Sequence, residues 1–109
     1  MSIKIYGKEY IMVAERVQQA HEALQEGFSI NTEVLSHDPV VIKAVVTIGE
    51  NEYTGISAAN PNKAIEKQSP YEVAETSAVG RALGFAGFGI VEGIASADEI
   101  TKATSYDPV

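Results

Sequence analysis

The spacing of the apolar residues changes twice along the chain, and this change constrains the fold more than any other feature of the sequence. Between Ile11 and Glu26 apolar side chains recur at intervals of three and four residues, which is the period of one helix face; they are Val13, Val17, Ala20 and Leu24. After Gly27 the interval falls to two, as in a half-buried strand, and beyond Ser69 it becomes helical again. The sequence therefore predicts a helix, a group of strands and a second helix.

Three strands are predicted in the middle of the chain, because each stretch is β-branched or alternates in polarity and each is bounded by a turn. Their predicted bounds are Phe28–Ser36, Val40–Ile48 and Glu52–Ala58. The turns between them are His37-Asp38-Pro39 and Gly49-Glu50-Asn51. Connections this short join antiparallel neighbours, so the strands are predicted to form an antiparallel β-meander.

A second, longer helix is predicted from Ser69 to Phe85 or Ala86. Ser69 suits the N-cap, Pro70 suits the first helical position, and Glu72 lies three residues after the cap, which together make a capping box. One stripe of this helix is formed by small residues at intervals of four, three and four, namely Val73, Ser77, Gly80 and Gly84. Such a stripe allows another backbone to approach closely.

These segments predict one α+β domain over residues 1–103, in which a three-stranded antiparallel meander carries the helices that begin near Tyr10 and Ser69. A short extended start with a turn at Gly7 precedes the first helix, and residues 59–68 are interpreted as a loop. A second capping box, Ser96 with Glu99, predicts a short C-terminal helix. Residues 104–109 are predicted to be frayed.

Composition excludes several classes of protein. The chain of 109 residues contains no Cys, which excludes disulfide scaffolds, zinc–thiolate sites and thiol chemistry. No apolar run approaches the roughly 18–20 residues that span a bilayer. The first residues lack the apolar region of a signal peptide. We therefore expect a cytoplasmic protein without a membrane partner.

Catalytic chemistry is not indicated by the sequence. The two histidines, His21 and His37, lie beside a helix stripe and in a turn, and both are interpreted as satisfied or solvated side chains. No Ser-His-Asp order and no metal-ligand spacing occurs. The glycines at Gly84, Gly87 and Gly89 end a helix, whereas a phosphate-binding glycine loop follows a strand and opens a helix. We expect a protein that is not an enzyme and that needs no metal or cofactor.

Four cations and two tyrosines are the candidates for a binding site. They are Lys43, Lys63, Lys67, Arg81, Tyr10 and Tyr53. The formal net charge is −7, from 8 Lys and Arg against 15 Asp and Glu, yet residues 60–85 are locally neutral. If the loop folds over the end of the sheet, the cations converge on one groove; the alternative, which spacing alone favours, is four scattered solubilising cations. The tyrosines are able to stack on nucleobases, although burial in a core is the commoner role.

Three segments stand in a characteristic order. The run from Tyr10 to Val17 opens the first predicted helix, Tyr53-Thr54-Gly55 lies on the third predicted strand, and the run from Ala74 to Gly87 forms most of the second helix. Together they resemble the single-strand annealing proteins, the superfamily of the eukaryotic recombination mediator Rad fifty-two and its relatives in phages and prophages. In that family a Tyr-Ile pair begins a helix, a β-meander follows, and a long helix carries a basic residue, then Ala-Leu, then a glycine.

The resemblance implies a protein that binds single-stranded DNA and anneals complementary strands without ATP, as a ring or filament, in phage-type recombination and repair. It implies that the helix after the meander lines a groove, where its basic residue, here Arg81, contacts phosphates. Tyr10 and one of Lys63 and Lys67 take the positions of further groove residues. A recombinase or a single-strand-binding protein is implied as a further partner.

Two functional interpretations follow. The first is an oligomeric single-stranded DNA-binding protein in which Arg81 is the main phosphate contact, because a cation among small and apolar helix residues needs water, a carboxylate or a phosphate. The second is an acidic α+β protein-interaction module that keeps the fold and has lost DNA binding. Retention on single-stranded DNA at low salt distinguishes the two.

Overall fold

The computed structural model describes residues 2–5 and 8–89, which form five strands and three helices. In chain order the elements are β1 (Ser2–Ile5), β2 (Lys8–Ile11), α1 (Val13–Leu24), β3 (Phe28–His37), β4 (Val40–Ile48), β5 (Asn51–Ala58), α2 (Ala64–Gln68) and α3 (Pro70–Phe85). β1 and β2 pair as an antiparallel hairpin that precedes α1. The elements from α1 to α3 make the α+β architecture that the changes of period predict.

β3, β4 and β5 form an antiparallel sheet in sequence order, which confirms the predicted meander. Each strand lies within one residue of its predicted bounds, because the two short turns leave little choice of register. In this register Lys43 on the central strand lies between Glu33 on β3 and Ile56 on β5. The pairing of β3 shifts between Val34 and Ser36, as a bulge near the end of an edge strand.

α3 covers one face of the sheet, which we call the inner face, and α1 packs against α3 and joins the same core through Ala20. The central strand contributes Ile42, Ala44 and Val46 to the core there, and α3 contributes Ala78 and Leu83. Along β4, buried residues alternate with half-buried ones, as expected for a strand with one covered side. Both helices therefore pack on the same side of the meander.

The opposite side of the sheet, which we call the outer face, carries no helix among residues 2–5 and 8–89. The alternation of the strands assigns to it Ser29, Asn31 and Glu33 on β3, Val41, Lys43, Val45 and Thr47 on β4, and Glu52, Thr54 and Ile56 on β5. These side chains are half-buried on the central strand and exposed on the two edge strands. One face of the sheet is therefore packed against the helices, and the other is accessible to solvent.

The first helix begins later than predicted. It starts at Val13 and not near Tyr10, because Tyr10 is a strand residue that pairs with Ile3 across the hairpin. Met12 is extended, with φ −68° and ψ 149°, and separates β2 from α1. The backbone pairing of the hairpin therefore replaces the first helical turn that the Tyr-Ile pair was expected to open.

Two further predictions about helices are wrong. The segment 59–68 contains a short helix, α2, in which the N–H of Lys67 donates to the carbonyl of Lys63 at 2.8 Å. Ser69 makes no side-chain cap hydrogen bond on α3, so the predicted capping box does not form. Because Ser69 directly follows α2, its backbone has φ −134° and ψ 60°, outside the extended conformation usual for an N-cap residue.

The end of α3 agrees with the prediction. The helix ends at Phe85, and Gly87 follows with φ 101°, a left-handed conformation that favours glycine. The predicted C-terminal helix at Ser96 and the frayed residues 104–109 lie outside the described residues. Within the described ranges, no helix combines the length and the apolar character needed to cross a membrane.

Candidate nucleic-acid interface

At one end of the molecule the β3–β4 turn lies against the start of α3. His37, the last residue of β3, shares a hydrogen bond with Tyr71, with 2.8 Å between its Nδ1 and the tyrosine oxygen. The centres of the two rings are 5.8 Å apart. Both side chains are exposed, as are those of Asp38 and Lys67. We call the surface formed by these four residues the turn-end surface.

A pocket of about 150 Å³ opens within the turn-end surface. Its lining includes His37, Pro39, Ala59, Pro61, Lys67 and Pro70. One wall is a loop held by two short-range hydrogen bonds: the N–H of Asn60 donates to Glu66 Oε1 at 2.8 Å, and the N–H of Asn62 donates to Asn60 Oδ1 at 2.9 Å. Glu66 is 1% exposed. The segment that carries Lys67 is therefore fixed by a buried carboxylate.

The N-terminus of α3 lies at the turn-end surface, because Tyr71 is the second residue of α3. α3 has 16 residues, and the first-turn N–H groups of such a helix attract anions. The exposed carboxylate of Asp38 lines the pocket and that of Glu72 lies in the first turn of α3, so this end of the molecule carries both signs of charge. No group of three or more His, Asp or Glu side chains in the described part of the chain is placed to hold a metal ion.

The candidate cations do not meet in one groove. Lys43 lies on the outer face, opposite Glu33 in the register, whereas Arg81 lies on α3, which covers the inner face. Arg81 is half-buried, and its guanidinium carbon is 5.8 Å from the centre of the Phe85 ring, which is a cation–π distance. At 1.5 Å per residue, Arg81 lies about 16 Å along the helix axis from Pro70. The candidates are thus divided between two faces and two ends of the molecule.

Lys63 directly precedes α2, and Lys67 lies in the last turn of α2. Lys63 is half-buried and Lys67 is exposed, so of the two it is Lys67 that reaches solvent beside the pocket. Tyr53 is half-buried and packs against the hydrophobic core, which fits the structural interpretation of that tyrosine. Tyr10 lies in β2, on the hairpin that precedes α1.

Sequence reasoning missed Arg16. This side chain is fully buried in α1. Its Nη1 donates to the carbonyl of Gly80 at 2.7 Å and its Nη2 to the carbonyl of Gly89 at 3.2 Å. The signal was present, since Val13, Arg16 and Ala20 have helix-face spacing and are the buried residues of α1. Residue type alone places Arg16 on the solvent side of α1, because a cation is rarely buried without partners.

The fold is an α-β-β-β-α domain, formed by α1, the meander and α3. A family model described as Slr1353 N-terminal dsRNA-binding domain-like matches residues 17–86, from within α1 to the residue after α3. Because this match covers more than half of the 109-residue chain, the chain belongs to that family. No curated protein and no solved structure matches the chain.

The family match corrects the resemblance to the single-strand annealing proteins, which is wrong at the level of family. The resemblance depended largely on Ala82-Leu83-Gly84, and these three residues are buried in the core of this fold. Close packing therefore explains why small and apolar residues occur at these positions. The coarse part of the functional prediction, a nucleic-acid-binding type of domain, agrees with the family description. Strand annealing, recombination, repair and phage origin have no support in it.

Proposed function

We propose that the protein binds double-stranded RNA, weakly and without reading its sequence, through the turn-end surface. The observation that carries this proposal is the family match over residues 17–86, because the family is described by its likeness to a dsRNA-binding domain and the match spans nearly the whole α-β-β-β-α unit. Domains of that kind recognise an A-form duplex mostly by its shape and by contacts with phosphates and 2′-hydroxyls. Such binding involves no bond making, so no catalytic residue is proposed.

The start of α3 is where a backbone phosphate fits best. Lys67 and Pro70, the first residue of α3, line the pocket of the turn-end surface, and a lysine ammonium and a helix N-terminus each favour an anion. The carboxylates of Asp38 and Glu66 line the same pocket and oppose that attraction. The His37–Tyr71 pair lies on the rim and offers hydroxyl and imidazole groups to a second phosphate or a 2′-hydroxyl. This arrangement contacts the sugar–phosphate backbone and leaves the bases unread.

The net charge of −7 limits the affinity. A polyanion is repelled by most of the surface, and attraction depends on a helix terminus and one exposed lysine at the turn end. Affinity for a duplex falls with salt by about 0.9 log unit per log unit of salt for each neutralised phosphate. With one or two such contacts, the expected slope is between about −1 and −2.

The proposal is tested by fluorescence anisotropy with a labelled RNA duplex of about 16 base pairs, the length that a dsRNA-binding domain spans. Single-stranded RNA and a DNA duplex of the same sequence are compared at low ionic strength and across a salt series. We expect the RNA duplex to bind most tightly. Lys67→Ala should weaken this binding and reduce the magnitude of the salt slope by about one.

Lys43→Ala is the matched control, because it removes the same charge from the outer face of the sheet and should leave duplex binding unchanged. If Arg81→Ala weakens binding and Lys67→Ala does not, the binding surface lies at the other end of α3 and the turn-end assignment is wrong. If the RNA duplex does not bind at low salt, the proposed function is wrong. Circular dichroism of each variant establishes that it is folded.

A protein-interaction module is the second candidate function. It is favoured by one observation, the outer face of the sheet, where the aliphatic side chains of Val41, Val45 and Ile56 are half-buried or exposed on two adjacent strands. An acidic surface, unfavourable for a polyanion, is no obstacle to a protein partner. Loss of duplex binding in the anisotropy experiment would leave this candidate in place.

A further inference from the structure

The proposed duplex contact leaves the outer face of the sheet unused. Val41 and Val45 on the central strand are half-buried, and Ile56 on β5 is 52% exposed. Ile56 lies beside Lys43 in the register, so it is a diagonal neighbour of both valines. Isolated apolar residues are normal on a protein surface, but contiguous apolar patches mark interaction sites.

We propose that the outer face is the interface of a weak, two-fold symmetric dimer of this chain, in which the outer faces of two copies stack on each other. Sheets that stack face to face interdigitate the side chains of the two facing surfaces. A two-fold axis brings the same patch of each copy together. The Val41, Val45 and Ile56 patch would therefore be buried against its own copy.

The charge of the outer face favours a second copy as its occupant. The face carries Glu33, Lys43 and Glu52, which is two acidic groups and one basic group, or a formal −1, whereas the whole chain carries −7. Two copies therefore repel each other weakly across this face. Lys43 lies at the centre of the face and Glu33 and Glu52 lie on the edge strands. A two-fold axis displaced from Lys43 therefore sets the cation of each copy against a carboxylate of the other.

The area of the face determines how strong such a dimer is. Three strands about 4.8 Å apart and about eight residues long, at about 3.3 Å per residue, give a face of roughly 14 by 26 Å, or about 370 Å² per copy. Specific and stable interfaces bury about 800 Å² per partner. The dimer is therefore expected to form only at high protein concentration.

Residues 90–109 are a less suitable occupant, because they continue from the other side of the sheet. The carbonyl of Gly89 accepts a hydrogen bond from Arg16 at 3.2 Å, and Arg16 belongs to α1, on the inner face. To cover the outer face, the residues after Gly89 would have to pass around an edge of the sheet.

The test is sedimentation equilibrium of the full chain between about 20 μM and about 1 mM, without nucleic acid. We expect a mass that rises with concentration toward twice 11.6 kDa. Ile56→Lys should weaken dimerisation about tenfold or more, as for the loss of a central apolar contact. Val34→Lys is the matched control: Val34 is also an exposed aliphatic residue, 41% exposed, but its register partner is the buried Ile42, so it belongs to the inner side.

A second pair of variants tests the charge of the face. Lys43→Gln and Thr76→Glu both change the net charge from −7 to −8, but the first removes the cation at the centre of the outer face and the second adds a carboxylate on the exposed side of α3. We expect Lys43→Gln to weaken the dimer more than Thr76→Glu. Equal effects would mean that only the total charge matters, and would overturn the charge argument.

Three results would overturn the proposal as a whole. The first is a monomer at every concentration tested. The second is a dimer that Ile56→Lys and Val34→Lys weaken equally, which would place the interface elsewhere. The third is an Ile56 methyl group that stays protected from a soluble paramagnetic agent at every protein concentration, which would mean that the outer face is covered within a single copy. Since the measurement contains no RNA, its failure is separate from failure of the proposed function.

Discussion

At the scale of single residues, Gly55 decides how closely α3 approaches the sheet. Gly55 is buried on the inner side of β5, and a Cβ there would lie 2.6 Å from the amide nitrogen of Ala82 and against the carbonyl oxygen of Ala78. Both are backbone atoms, which cannot turn aside as a flexible side chain can. Gly55→Ala is expected to lower the free energy of unfolding by about 1–3 kcal/mol or more, as overpacking does, measured by urea denaturation.

Thr54→Ala is the control for this substitution. Thr54 is the preceding residue on β5 and is exposed on the outer face, so the change costs only β propensity, which spans about 1 kcal/mol. If Gly55→Ala destabilised the protein no more than Thr54→Ala, the close approach of α3 to β5 would be contradicted.

At the scale of elements, α3 meets the sheet through small side chains. Ala74, Ser77, Ala78 and Ala82 are all buried on its covered side, so the contact depends on close fit between a helix and a sheet. Ala78→Leu should therefore destabilise the fold by about 1–3 kcal/mol, because the added carbons have no space. Chemical denaturation followed by circular dichroism measures the change.

Thr76→Leu introduces the same side chain on the exposed side of α3. Leucine forms helices better than threonine, so this variant is expected to unfold at the same or a slightly higher denaturant concentration. Similar destabilisation by the two leucines would show that the covered side of α3 is not the one that the structure assigns.

At the scale of the whole molecule, the net charge of −7 makes salt act in opposite directions on folding and on the proposed duplex binding. Screening weakens the repulsion among like charges in the folded protein. It also weakens attraction to phosphates. Raising sodium chloride from low concentration to about 0.3 M, where the Debye length is well under 10 Å, should therefore raise the melting temperature and lower the affinity for RNA.

Differential scanning fluorimetry and the anisotropy assay, run in the same buffers, measure the two effects. A melting temperature that falls with salt would mean that attractive ion pairs outweigh the repulsion of the excess carboxylates. An affinity that does not change with salt would exclude phosphate contacts as the basis of binding.

The sequence by itself determined the order of the first helix, the three strands of the meander and the long helix α3. The meander, its bounds and the end of α3 at Phe85 were predictable because each depends on residues close together in the chain: a period, a short turn, a glycine at positive φ. The local predictions that failed did so where a neighbouring element intervened. Pairing with Ile3 places Tyr10 in a strand, and α2 immediately before Ser69 changes the backbone that a cap requires.

Only the tertiary structure decided which polar residues are buried and where the cations lie. Arg16 is buried because carbonyls 64 and 73 residues away, at Gly80 and Gly89, accept its hydrogen bonds. Lys43 and Arg81 lie on opposite sides of the sheet because α3 covers the inner face alone. The period of a segment reports which of its residues share a face. It does not report which other segment packs against that face, since that segment is far away in the chain.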